Sequence, residues 1–202
     1  MERARVVVLV SGGGTNLAAL LAAAADADYP AEVVAVGSDR LGIAALGRAA
    51  DAGVESFVVA PDNYPTRPAW DLALADATAA HRPDLVVLAG FMRLVGPMFL
   101  ERFPGRVVNT HPALSPSFPG MSAPRDALEY GVKVTGCTIF VVDDGVDTGP
   151  IVAQAAVPVL DDDTVESLHE RIKEHERSLL VQTVAALVTS PHRIDGRRVR
   201  WT

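Results

Sequence analysis

The sequence predicts an α/β fold: a mostly parallel central sheet with helices on both faces, followed by an antiparallel C-terminal portion. Three observations lead there. Short apolar runs without polar alternation recur through the first half, and stretches with helical spacing separate them. Apolar residues make up 49% of the chain and aromatics only 5%, with Ala and Val dominant, which suits layered strands and helices. After His111 the pattern changes to a proline-punctuated stretch and then to two apolar runs close together in sequence.

The elements follow in order. Val6–Val10 reads as a buried strand, Ser11–Thr15 as a loop and Asn16–Ala25 as an Ala/Leu helix. Glu32–Ser38 is a second strand, Gly42–Ala52 a second helix and Glu55–Ala60 a third strand. Arg67–Ala80 has a strong 3.6-residue pattern and reads as a longer helix. Leu85–Gly90 is a fourth strand, apolar on both faces, followed by a short helix at Pro97–Arg102 and a short strand at Val107–Asn109. Pro112, Pro116, Pro119 and Pro124 mark a long loop. Val134–Val142 and Ile151–Val159 lie too close for a crossover helix, so they read as an antiparallel pair. Thr164–Val188 is a long helix with Thr164 at its N-cap, and Ile194–Trp201 is expected to form a surface strand.

Composition narrows the function. A chain of 202 residues suits one domain with a full core. The formal net charge of −7 argues against a general nucleic-acid or membrane-surface binder. It leaves room for small anions held by a glycine loop or a few arginines. The single cysteine, Cys137, excludes an internal disulfide framework and suits the cytoplasm. Val6–Val10 is too short for a signal-peptide core, and no apolar run approaches the ~20 residues of a membrane span.

Ser11-Gly12-Gly13-Gly14-Thr15-Asn16 joins the first strand to the first helix. Amides exposed there, together with the helix dipole, make an anion site, and phosphate is the expected ligand. A tight turn needing glycine without any ligand is the bland alternative. A dinucleotide fingerprint would need a third glycine where Leu17 stands, although Asp39 could imitate its ribose-binding acid and keeps a nicotinamide-dependent oxidoreductase open. A Walker A loop would need Gly-Lys-Ser/Thr, which is absent.

Asn109-Thr110-His111-Pro112 and Asp147-Thr148-Gly149-Pro150 carry the strongest chemistry. On an extended backbone Asn109 and His111 point to the same side. An amide N–H and an imidazolium aimed together can hold an oxyanion, and a carboxylate such as Asp147 can orient the ring and sustain its charge. Asp147 could equally be a turn residue. Of the other histidines, His81 reads as a surface residue at a helix end and His192 lies in the polar tail. His169 and His175 stand six apart on different helix faces, with Lys173 where a metalloprotease-type pair would need histidine, so no metal is expected. Cys137 has no basic neighbour in sequence and reads as a buried structural thiol. Lys173 and Glu176 share a helix face, which by spacing alone is a solvated charged stripe.

Four segments taken together resemble the phosphoribosylglycinamide formyltransferases of purine synthesis. They are Val8–Leu17, Leu88-Ala89-Gly90-Phe91-Met92-Arg93, Asn109–Leu114 and Val146-Asp147-Thr148-Gly149-Pro150. The match runs in order from about Arg5 to Leu187. It implies a Rossmann-like formyltransferase fold in a single domain over residues 1–202. Residues 1–110 would form the phosphate/nucleotide-binding half, and residues 111–202 the folate-binding and catalytic half. It also implies transfer of formyl from 10-formyltetrahydrofolate to the glycinamide amine, without a metal, by a cytoplasmic monomer or homodimer.

By position, the resemblance gives Gly14, Thr15, Asn16, Lys173 and Glu176 to the ribose phosphate. It gives Arg67, Met92, Arg93, Leu94, Val95, Asn109, Asp143, Asp144, Gly145, Val146 and Asp147 to the folate. Asn109, His111 and Asp147 fall on the catalytic positions. Three residues depart from the family pattern: Ser115, and Ser122 and Phe140 where histidines are common. They leave the trio intact but bear on the acceptor, so a relative formylating another primary amine is the alternative. Relatives that act on charged tRNA or hydrolyse the formyl folate normally carry a further domain, and neither activity is expected.

Overall fold

A computed structural model describes residues 2–202, which divide into two compact units at Asn109 and Thr110. The first unit runs β1 (Ala4–Val10), α1 (Thr15–Ala24), β2 (Ala31–Ser38), α2 (Ala44–Asp51) and β3 (Glu55–Val58). A 3₁₀ turn at Pro61–Asn63 leads to α3 (Arg67–Ala80), β4 (Leu85–Leu88), α4 (Pro97–Arg102) and β5 (Val107–His111), the last crossing the boundary. The strands pair in parallel in the order β3-β2-β1-β4-β5. Val6–Val10 and Leu85–Leu88 are buried throughout, as expected for strands covered on both faces.

Strand order reverses between β1 and β4, since β2 and β3 lie to one side of β1 and β4 and β5 to the other. In such sheets the crevice outside the carboxyl ends at the reversal is where ligands bind. The glycine loop leaves β1 there and the Gly90–Val95 segment leaves β4 there. Helix α3 begins as its sequence specifies: Thr66 Oγ1 accepts from Ala69 N, and Pro68 fits the first turn, where an N–H is dispensable. Its inward face buries Trp70, Asp71, Leu74, Ala75 and Thr78.

The second unit runs α5 (Ala123–Tyr130), β6 (Val134–Val141), β7 (Ile151–Pro158), α6 (Val165–Thr189), β8 (His192–Asp195) and β9 (Arg198–Trp201). β6 and β7 pair antiparallel from Val134↔Pro158 onward, with an irregularity at Ile139/Phe140. Leu168 and Ile172 of α6 pack on Cys137 and Val157, all fully buried. A capping box between Thr164 and Ser167 starts α6. Asp163, just before it, accepts from Arg171 Nη2 at 2.6 Å and from Nη1 at 2.8 Å.

Three expectations are corrected. The proline-rich stretch after His111 is not one loop, because α5 occupies Ala123–Tyr130. Pro124 sits in the first turn, where proline is compatible with a helix, and Gly131 closes the helix at φ 81°. The tail is a hairpin rather than one strand, with Gly196 at φ 57° between β8 and β9, a turn that Asp195-Gly196 signals. His81 is not a surface residue: its ring stacks on Phe57 at 5.3 Å and its side chain is 15% exposed.

Ile172→Ala is expected to cost about 2–5 kcal/mol in urea unfolding, because the cavity opens in the α6 contact. The Asp163 carboxyl is held well below the usual carboxylate range, first by its hydrogen bonds from Arg171. Its stabilising contribution is therefore present above the unfolded-state value of about 3.9 and fades as pH falls through the lower folded-state value. The stability gap between the native chain and Asp163→Asn should be constant above about pH 5 and shrink in acid.

Candidate functional site

In the first unit, the site is built at the carboxyl ends of β1, β2 and β4. Gly14 takes φ 70° at the start of α1, where an added Cβ would lie 2.7 Å from Ala45 Cβ. Gly12 and Gly13 face open space instead. Helix α2 anchors the loop from behind: Ala45 N donates to Gly12 O at 3.2 Å and Arg48 Nε to Gly13 O at 2.9 Å. Ala18 N takes Gly14 O at 2.9 Å. Three loop carbonyls are thus committed, which fixes the peptide planes that carry the loop amides. Thr15 is exposed and Asn16 buried, both in the first turn of α1. A turn of this build suits an anion.

The Gly90–Val95 segment is tied to the glycine loop. Met92 N donates to Ser11 Oγ at 2.9 Å, and Ser11 N to Gly90 O at 3.1 Å. Met92 and Leu94 are 54% and 59% exposed, an unusual apolar display for a short loop, while Val95 is buried. Arg93 Nε lies 3.1 Å from Asp39 Oδ2. Arg67 donates to Leu94 O, with its guanidinium 4.6 Å above the Trp70 ring centre. Arg67, Met92, Arg93 and Leu94 are thereby gathered in one region of this unit. Asp39 is buried and committed to Arg40 and Arg93 rather than presented to a ribose.

Periodicity alone assigns no role to Asp71, yet it anchors this segment. Its carboxylate accepts from Gly96 N at 2.5 Å and Phe99 N at 3.1 Å, capping α4 from another helix. The signal was a carboxylate on the apolar face of α3, beside Trp70 and Leu74.

In the second unit, His111 is 3% exposed. Its Nδ1 lies 3.4 Å from Asp147 Oδ2, and its Nε2 2.8 Å from Phe118 O. A carbonyl only accepts, so Nε2 is the donor in that contact, while Nδ1 faces the carboxylate. Asp147 Oδ2 also accepts from Gly120 N at 2.7 Å, and the residue sits at φ 54°. Neither Phe118 O nor Gly120 N is visible as a partner from residue types. Asn109 precedes His111 by two positions on β5, which gives their side chains the same side of that strand.

The Asp143–Asp147 loop organises itself. Asp143 Oδ1 accepts from Gly145 N at 3.1 Å and Thr148 Oγ1 at 2.7 Å, and Asp144 and Val146 are exposed. Gly149 is required because a Cβ would come within 1.7 Å of Val141 O. Phe140 is buried in β6, and Ser122 is exposed ahead of α5. Ser115 N donates to Thr138 Oγ1 at 2.9 Å. On α6, Lys173 Nζ meets Glu170 at 2.7 Å, and Glu176 is only 5% exposed. The two are not one solvated stripe. Burial, helped by the Glu176 charge, pushes the Cys137 thiol up to about 12, which leaves it inert. Burial, then the Lys173 charge, holds His169 below the usual imidazole range. Among the described residues no helix is long and apolar enough to cross a membrane.

Residues 4–184 match the formyl transferase family. The chain is 60% identical over 194 residues to the phosphoribosylglycinamide formyltransferase of Mycobacterium tuberculosis, covering 96% of this chain and 89% of that protein. It is 44% identical to the trifunctional purine biosynthetic protein adenosine-3 of Drosophila melanogaster, over 93% of this chain and 14% of that protein. Its structure resembles glycinamide ribonucleotide transformylase 1 from Symbiobacterium toebii, with a TM-score of 0.96 at 48% identity, covering 98% of this chain and 94% of the other. The Brucella melitensis phosphoribosylglycinamide formyltransferase gives 0.89 at 40% identity, covering 94% and 98%.

Gly14→Ala is expected to lose about 1–2 kcal/mol of stability in chemical denaturation, since both its φ and the Ala45 contact resist a Cβ. Gly12→Ala, with open space around it, should stay within about 0.5 kcal/mol of the native chain.

Proposed function

Because the chain belongs to the formyl transferase family, we propose that it transfers a formyl group from 10-formyltetrahydrofolate to the amine of glycinamide ribonucleotide in purine synthesis. The chemistry rests on one observation above all, the buried His111 ring between Asp147 and a backbone carbonyl. The names of the relatives point to the acceptor. The chain would work in the cytoplasm, as a monomer or homodimer forming one domain over residues 1–202.

The neutral amine attacks the formyl carbon, and a new C–N bond forms as the carbonyl becomes an oxyanion. Asn109 and protonated His111 are the donors for that oxyanion. For His111 to serve, Nε2 must exchange Phe118 O for the substrate oxygen, through rotation of the ring or withdrawal of the carbonyl. Asp147 sustains the imidazolium and takes part in relaying the amine proton, through water, to the folate nitrogen as its bond to the formyl carbon breaks. Holding two substrates together supplies much of the remaining acceleration.

Gly14, Thr15 and Asn16 would hold the ribose phosphate through amides and short side chains, with Lys173 for phosphate charge and Glu176 for ribose hydroxyls. Arg67 and Met92-Arg93-Leu94-Val95 would hold the folate, together with Asn109 and the loop Asp143, Asp144, Gly145, Val146 and Asp147. Lys173 is paired with Glu170 in this structure, so phosphate would replace one anion by another.

The deciding experiment gives one formyl donor and a panel of primary amines to the folded protein and reads products by mass. Formylated glycinamide ribonucleotide is expected as the dominant product, and its absence would reject the reading. His111→Ala and Asn109→Ala should each lower kcat about 10²–10³-fold in steady-state assays while leaving the thermal midpoint nearly unchanged for Asn109→Ala.

A further inference from the structure

Asp39 lies just past β2, and formyl transfer as described gives it no task. It is 2% exposed, and three groups donate to its carboxylate. Arg40 reaches it through Nε at 3.3 Å and Nη2 at 2.9 Å, and Arg93 through Nε at 3.1 Å. The Ser11 hydroxyl is the third donor. Ser11 Oγ in turn accepts the Met92 N–H at 2.9 Å, which leaves its own proton for Asp39.

Burial alone would push this carboxyl up, but the hydrogen bonds from Arg40, Ser11 and Arg93 hold it below the usual range. It is therefore a buried anion at neutral pH, a state that persists only while its partners stay in place. Two of the three partners come from segments described above. Ser11 opens the glycine loop, and Arg93 stands in the exposed turn after β4, where its side chain is 43% exposed.

We propose that Asp39 is a positioning residue for the formyl donor. Its carboxylate fixes the Arg93 side chain and, through the Ser11 hydroxyl, the Met92 amide. The 92–95 turn is then set before the folate arrives and is fastened to the glycine loop. The proposal rests on the assignment of residues 92–95 to the folate. Asp39 touches neither substrate; its effect is to remove the ordering cost that a loose turn would add to binding.

The test is calorimetric titration of tetrahydrofolate into the full chain and into Asp39→Asn, Asp39→Glu and Ser11→Ala. Steady-state constants for both substrates and a thermal midpoint accompany each variant. Asp39→Asn is expected to weaken tetrahydrofolate about tenfold or more and to raise KM for the donor. The change in KM for the nucleotide should be several times smaller, and kcat at saturation should change least. Asp39→Glu should recover part of the loss. Ser11→Ala, which cuts only the Met92 branch, should lose about threefold. Native affinity in Asp39→Asn would overturn the proposal. So would equal losses for both substrates that track the thermal midpoint, the mark of a purely structural role. If Asp39→Asn does not fold, Ser11→Ala decides alone, and unchanged folate affinity there overturns the proposal. If the native chain binds no tetrahydrofolate, the folate assignment of the turn fails and the proposal with it, an outcome distinct from a variant that binds normally.

Discussion

The parallel pairing of β1 with β4 is the constraint from which the first unit is built. Both strands are apolar on both faces, so each must be covered above and below, and the chain must cross over by helices to return in parallel. Their pairing continues past the strand ends, with Ala89 N on Leu9 O and Ser11 N on Gly90 O. Polar backbone that leaves two buried strands at the same edge has few ways to be satisfied. The glycine loop and the Gly90–Val95 turn satisfy it from each other and from α2. The segments proposed to hold ligands arise where the sheet runs out of partners.

Buried or shielded carboxylates do much of the remaining positioning. Asp71 caps α4 from α3, Asp39 gathers two arginines and a serine, and Asp147 joins a histidine to a backbone amide. Each pays its desolvation through charge-assisted hydrogen bonds to segments distant in sequence. Loops tied in this way are held more firmly than packing of their short apolar residues would hold them. Removing Asp71 leaves the buried Phe99 N–H without this acceptor, which costs more than the bond itself was worth.

The His111 environment shows the same economy in the second unit. A ring almost out of solvent meets the Phe118 carbonyl at Nε2 and keeps the Asp147 carboxylate 3.4 Å from Nδ1. Asp147 reaches it from a loop at positive φ, closed by Gly149 against Val141 and braced by Asp143 on Thr148. The Asp-Thr-Gly-Pro run is therefore a piece of backbone engineering as well as a source of one carboxylate. The Phe118 carbonyl occupies the hydrogen-bonding position of Nε2 in this structure.

Much of this was legible in the sequence, because its signals are local. Continuous Val and Leu runs separated by helical spacing imply a covered parallel sheet, and the glycine loop, the Thr164 cap and the antiparallel β6–β7 pair follow from residue type and distance along the chain. Helix α5 and the C-terminal hairpin were legible too, from Pro124 with Gly131 and from Asp195-Gly196, but proline density and a short tail masked them. The partners of Asp39, Asp71 and Asp147 are another matter. A carboxylate announces that it needs donors and not which ones; Arg93, Gly96 and Gly120 stand 54, 25 and 27 positions away from those that claim them, and only folding the chain brings them within reach. Sequence by itself determined the parallel strands, the helices that cover them and the glycine turn after the first strand. The tertiary structure decided which acid serves which base, because hydrogen bonding at that separation depends on ångström placement that no spacing rule contains.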